Sequence, residues 1–250
     1  MNKEVVPQFL VYTFGIMILG WGLCLVCGLN GVTTSNHFWL YIPFMLGGLS
    51  PTIASYIVLK KNNEVTGFKG WLKNIFTVKK PVFLYLLVIV LGAIYFIPQI
   101  YISGLEKMEP VYMFFLLLPV MIIGGGMEEA GWRYILQPEW EKRYGYVLSS
   151  VMVAVIWALW HLPLFFIPGA SQYGTNFGFF AISVFGLTFA LGAIHKISNS
   201  VFLCVLFHCI VNAGFSVFIY SPTFWGTVAA AGLLIMVSAI GVFIYRRKTT

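Results

Sequence analysis

The chain has 250 residues, of which 60% are hydrophobic and only 9% charged, and its formal net charge is +7. A soluble domain carries about a quarter charged residues, so this composition excludes a water-soluble globular protein and calls for a bilayer as solvent. The bases fall in short runs such as Lys60-Lys61, Lys79-Lys80 and Arg246-Arg247-Lys248 that flank apolar segments. They read as determinants of membrane topology, not as a surface for nucleic acid.

Apolar runs close to the roughly 20 residues that cross a bilayer recur at 8–29, 38–59, 81–103, 111–137, 146–167, 178–195, 200–220 and 224–245. The pattern predicts an all-α, polytopic transmembrane bundle of about eight helices, forming a single membrane domain over residues 1–250. The first run lacks a small-residue cleavage pattern and is expected to be a retained span. It contains Cys24 and Cys27 which, with Cys204 and Cys209, are too few and too apolar in setting for a disulfide framework and read as packing residues. The 60–80 connection, with its lysines, Phe68, Trp71 and Phe76, suits either an interfacial helix on an anionic leaflet or a solvated connector.

Placing both termini in the cytoplasm puts Lys3, Lys60, Lys61, Lys69, Lys73, Lys79, Lys80, Lys142, Arg143, Lys196, Arg246, Arg247 and Lys248 on the inner side and only Lys107 outside. This asymmetry is that of a multi-pass protein of the cell membrane, or of the endoplasmic reticulum membrane in a eukaryote.

Arg133 is left within a span, where ionisable groups are costly and carry a presumption of function. The fourth run reads Gly124-Gly125-Gly126-Met127-Glu128-Glu129-Ala130-Gly131-Trp132-Arg133. Glu129 and Arg133 are spaced i, i+4 and can pair on one helix face. Glu128 points about 100° away, without a partner on its own helix, as suits a general base. The three glycines permit close approach of another helix. The fifth run carries Trp157 and His161, and the seventh carries His208 and Asn212 on one face. Measured from the inner ends at 1.5 Å per residue, Glu128 is about 15 Å deep if Pro138 ends its helix, His208 about 12 Å, and His161 about 24 Å from Gly145. The last value is too deep by about 10 Å unless the fifth helix starts beyond the bilayer or tilts. His37 and His195 read as ordinary interface residues.

Chemistry narrows the choice. There is no Asp for an aspartate dyad, no His-Glu-x-x-His zinc helix, and no phosphate-binding loop. A Gly-x-Ser-Gly nucleophile is also missing, since Gly169-Ala170-Ser171-Gln172 breaks that pattern in an outer loop. Glutamate with histidine remains.

These three segments resemble those of the CPBP family, the CAAX-processing and bacteriocin-processing membrane endopeptidases also called Abi proteins, to which the type II CAAX prenyl endopeptidases are related. Its pattern is Glu-Glu-x-x-x-Arg, Phe-x-x-x-His and His-x-x-x-Asn on separate helices. Glu128 to Arg133 matches the first, Trp157 to His161 the second with Trp in place of Phe, and His208 to Asn212 the third. The likeness covers about residues 110–220.

It implies hydrolysis of a peptide bond in a membrane-associated protein or peptide precursor. Glu128 and His161 would activate water, and His208 and Asn212 would hold the oxyanion. Glu129, Arg133 and Trp157 would support the site. A metal-free mechanism is favoured, with Zn on Glu128, His161 and His208 as the alternative. A non-catalytic membrane scaffold or immunity protein of the same family is the competing role, and a proton-coupled transporter is a further one.

Overall fold

The computed structural model describes residues 4–249, with side chains for residues 4–247. Lys3 and the side chain of Lys248, both assigned to the inner side, lie outside these. The chain forms a helical bundle. The helices are α1 (Val5–Leu29), α2 (Tyr41–Gly48), α3 (Ser50–Lys61), α4 (Phe68–Ile75), α5 (Val82–Ser103), α6 (Val111–Ile123), α7 (Glu129–Gly131), α8 (Gln137–His161), α9 (Phe177–Ser198), α10 (Val201–Val217) and α11 (Phe224–Thr249). Two short strands, β1 (Lys107–Met108) and β2 (Phe218–Ile219), pair antiparallel and clasp the α5–α6 and α10–α11 connections.

Among the described residues, five helical stretches are long and apolar enough to cross a membrane, or six if α2 and α3, bent by 50°, form one span. About eight were expected from the sequence. The difference has identifiable causes. The α10 helix has 17 residues, short for a span, and residues 111–166 count as one 56-residue stretch. A straight helix of that length would reach about 84 Å, nearly three times the hydrocarbon thickness, so the chain must turn back. It is broken twice: at Gly124–Gly125, and at Gly145, where φ 71° and ψ 175° leave the helical region.

The break at Gly145 separates the fourth and fifth apolar runs, as expected. The break at Gly125 falls inside the expected 111–137 helix and divides it. Pro138 does not end a helix; it sits in the first turn of α8, where its missing N–H costs nothing. The helix runs on to Gly145, so Glu128 and His161 lie about 25 Å and 24 Å from that shared turn. The depth mismatch therefore came from taking Pro138 as the inner end. Glu139, Glu141, Lys142 and Arg143 occupy the overhang, and Glu141 pairs with Lys196 at 2.9 Å.

The core is built on close helix contacts. Helix α1 lies against α2 and α3, α9 joins α8 to α11, and α10 packs on α5 and α6. Trp21 of α1 packs against Trp160 at 4.6 Å between ring centroids, and Trp132 meets Phe9 and Trp160 edge-on. The indole N–H groups of Trp21, Trp71 and Trp160 donate to the Phe44 carbonyl, Ser55 Oγ and Ser50 Oγ. These three indoles therefore have their polar edges satisfied in an apolar interior. Helix α4 buries Trp71 and Ile75 while Phe68 stays half exposed, so the 60–80 connection contains a docked amphipathic helix.

A Cβ at Gly20 would lie 2.5 Å from the Pro43 carbonyl oxygen and 2.6 Å from the Gly47 nitrogen, both backbone atoms. Gly20→Val should therefore separate α1 from α2 and lower stability by about 1–3 kcal/mol. Gly15→Val, at a position with nothing within 4 Å, should change it by less than about 0.5 kcal/mol. Thermal unfolding of both variants in detergent micelles checks the contrast.

Candidate active site

Three elements converge on one cavity. After Gly124 the chain turns at Gly125, with φ 136°, into a 3-10 turn over Gly126–Glu128, then α7, and then a π-helical turn over Trp132–Leu136. The Thr52 hydroxyl of α3 donates to the Met127 carbonyl at 2.8 Å and holds this turn in place. A Cβ at Gly125 would stand 2.5 Å from Asn212 Nδ2 and 3.0 Å from His208 Nε2. Only glycine fits this backbone angle and this space. The close approach expected of the glycine run is thus specific to α10 and delivers two of its nitrogens to one spot.

The adjacent glutamates part ways. Glu129 is wholly buried, 3.3 Å from Arg133 Nε on its own helix, and accepts from His208 Nδ1 at 2.8 Å on α10. Arg133 also lies over the Trp157 ring, its Cζ 5.1 Å from the centroid. Glu128 turns into the cavity. Its Oε2 accepts from Trp157 Nε1 at 2.8 Å, a partner supplied by α8 and not by its own helix. The Trp found in place of Phe therefore matters more than an aromatic exchange, since Phe has no N–H to offer.

His161 Nδ1 is 2.9 Å from the Trp157 carbonyl. A carbonyl only accepts, so Nδ1 carries the hydrogen, and Nε2 keeps a lone pair in the neutral ring. His161 is also packed against Trp160 and Phe180, at centroid distances of 4.6 Å and 4.9 Å. Asn212 Nδ2 donates to the Gly124 carbonyl at 3.0 Å, leaving its second N–H unused in that bond.

Glu128, Trp157, His161, His208 and Asn212 all line a cavity of about 960 Å³. Most of its wall is apolar, with Trp21, Phe44, Met45 and Phe207 among the contributors. Glu129 and Arg133 stand behind it. All seven residues singled out in the sequence are thus brought together. His37 is exposed, and His195 lines a separate small cleft with Asn74, Tyr134 and Asn199.

Among the described residues, no three His, Cys, Asp or Glu side chains are grouped to hold a metal ion. Glu128, His161 and His208 do not form the donor cluster that the zinc alternative requires.

The sequence reading missed Gly125 as a packing partner of His208 and Asn212, although the glycine run was its signal. It also missed Tyr95, Gln99 and Ser183, which line the same cavity from α5 and α9.

Two comparisons with known proteins bear on this site. The family described as Type II CAAX prenyl endopeptidase Rce1-like matches residues 110–214. A relative named CAAX prenyl protease 2, from Methanococcus maripaludis, is 29% identical over 205 residues, covering 72% of this chain and 73% of that protein.

Replacing Arg133 by Leu leaves Glu129 buried without its helix-borne cation. Removing one member of a buried pair typically costs about 3–5 kcal/mol. Arg133→Leu should lose stability of that order, and Glu129→Gln combined with Arg133→Met should recover most of it. Chemical unfolding of the purified variants measures both.

Proposed function

We propose that this chain, a relative of the Rce1-like type II CAAX prenyl endopeptidases, is an intramembrane endopeptidase that hydrolyses a peptide bond in a membrane-associated protein or peptide precursor. One observation carries the reading: Glu128, His161, His208 and Asn212, from three separate elements, face one cavity inside an apolar bundle. Charged and titratable groups brought together in such a medium need a function to justify their burial.

Each residue has a chemical part. Glu128 holds the Trp157 N–H with Oε2, which leaves Oε1 to accept a proton from water. His161 Nε2, its lone pair fixed by the bond at Nδ1, accepts a second hydrogen bond from that water. The water oxygen attacks the peptide carbonyl carbon as its proton passes to Glu128. The carbonyl oxygen becomes an oxyanion. The free Asn212 N–H donates to it, and His208 in its imidazolium form, paired through Nδ1 with Glu129, donates from Nε2. Glu128 then gives its proton to the leaving nitrogen. A carboxylic acid and an amine result, and Glu128 is again a carboxylate.

The wall chemistry favours an internal bond over a terminal one. Among the described residues lining the cavity there is no Lys or Arg to bind a free C-terminal carboxylate. A large apolar wall suits a substrate that brings a lipid or apolar anchor. The matched family and the named relative support a prenylated Cys-aliphatic-aliphatic-X terminus as one such substrate. Bacteriocin or pheromone precursors fit the same cavity chemistry.

Glu128→Gln keeps the shape and removes the base. It should abolish the new protein termini seen in membranes expressing the natural chain at equal level, a loss of at least about 100-fold. Identical termini with both chains would defeat the proposal. Asn212→Leu should lower kcat by about 10²–10³ with little change in KM, since the donor acts on charge that develops in the transition state. Steady-state kinetics in proteoliposomes separates the two constants.

A further inference from the structure

The cavity has a second polar patch that the mechanism does not use. Tyr95 and Gln99 stand one turn apart on α5, and Ser183 faces them from α9; all three line the cavity. Tyr95 and Gln99 are each only 1% exposed. Gln99 Nε2 has no hydrogen-bond partner, and the Tyr95 hydroxyl, beside Ser183 and Gln99, completes a bond to neither. Buried polar groups are nearly always satisfied, so unpaired ones on a cavity wall point to something that enters it. Pro98, immediately before Gln99, also interrupts the α5 ladder here and leaves the Ile94 carbonyl without its helical donor.

The chemistry of the patch limits its ligand. All three groups are neutral, so a carboxylate, phosphate or ammonium would find no counter-charge. An amide and two hydroxyls both donate and accept, as a peptide main chain does. Spacing agrees. Tyr95 and Gln99 are about 6 Å apart along the helix, and alternate residues of an extended strand repeat at about 6.6 Å. Two side chains one turn apart can therefore meet successive outward-facing peptide groups on one edge of a strand.

We propose that Gln99, Tyr95 and Ser183 form a subsite that binds the main chain of an extended, uncharged stretch of the substrate peptide, away from the bond that Glu128 cleaves. This rests on the endopeptidase reading. Tyr95 and Gln99 lie outside residues 110–214, so the subsite adds to the shared site a feature supplied by the preceding helix.

The probe is a quenched fluorescent peptide ending in a farnesylated Cys-aliphatic-aliphatic-Ser sequence, with the full chain in proteoliposomes. Gln99→Leu should raise KM about 10-fold and leave kcat within about twofold, and Tyr95→Phe, which removes one hydroxyl, should raise KM about threefold. A purely structural defect would lower the amount of active protein, and so kcat, and leave KM alone. A second measurement replaces single peptide carbonyls of the probe by thiocarbonyls, which accept hydrogen bonds poorly. At one position the substitution should weaken the natural chain several-fold and have no further effect on Gln99→Leu. Cleavage by the natural chain with KM unchanged in both variants, or without any such coupled position, would overturn the subsite alone. A natural chain no more active than Glu128→Gln, on this probe and in the comparison of membrane protein termini alike, would overturn the endopeptidase reading, and the subsite with it.

Discussion

Glu129 is wholly buried, and its carboxylate is held within the protein, by the charge of Arg133 one turn along its own helix and by a hydrogen bond from His208 on α10. The pairing within one helix is local and would form in many folds. The pairing across helices is not. It sets the rotation of α10 about its own axis, because His208 must present Nδ1 to the carboxylate. Once that is fixed, Nε2 has one direction left, toward Gly125 and the cavity. Asn212, one turn further on, is carried to the same side. A residue behind the cavity thus decides where two of the residues facing it will be.

The neighbouring glutamate needs a different backbone. An unbroken α-helix would hold Glu128 and Glu129 at a fixed angle of about 100° to each other. The turn at Gly125 and the π-helical turn after Gly131 bracket the two glutamates with irregular geometry. Irregular backbone inside a membrane is tolerated only where protein buries it or a cavity receives it. Both conditions hold: Thr52 takes the Met127 carbonyl on one side, and the Gly124 carbonyl accepts from Asn212 on the other. The hydrogen bonds that repair the broken helix are the same ones that attach it to α3 and α10.

The candidate site was more legible in the sequence than the helix count, for a physical reason. A carboxylate, an arginine or a histidine in an apolar run is conspicuous because its burial is costly, so Glu128, Glu129, Arg133, His161 and His208 stood out individually. Hydropathy does not register backbone direction, so the turn at Gly125 was hidden within one apolar run. Pro138 was misread because a proline in a first helical turn and one past a helix end look the same in a sequence. Trp157 was read as a supporting aromatic in place of Phe, but its N–H became meaningful only when Glu128 was found 2.8 Å away. Gln99 carried a signal that went unused: an amide beside Pro98 in an otherwise apolar helix. Being uncharged, it drew less notice than the glutamates.

Hydrolysis in an apolar layer sets two opposing demands on one space, which must hold water and admit a greasy substrate. A cavity of about 960 Å³ has ample volume for water, but an apolar void of any size stays dry unless polar groups supply each water with two to four partners. Among the polar groups that line this cavity, Glu128, His161, His208 and Asn212 make up one set and Tyr95, Gln99 and Ser183 another. The first contains the only carboxylate among the described lining residues, so it retains water most strongly, next to the proposed base. The second is neutral and yields its water more readily to a peptide strand that offers equivalent hydrogen bonds. The apolar part of the wall asks for no water at all. Polarity therefore sorts the contents of the cavity, keeping water beside Glu128 while the peptide displaces it elsewhere.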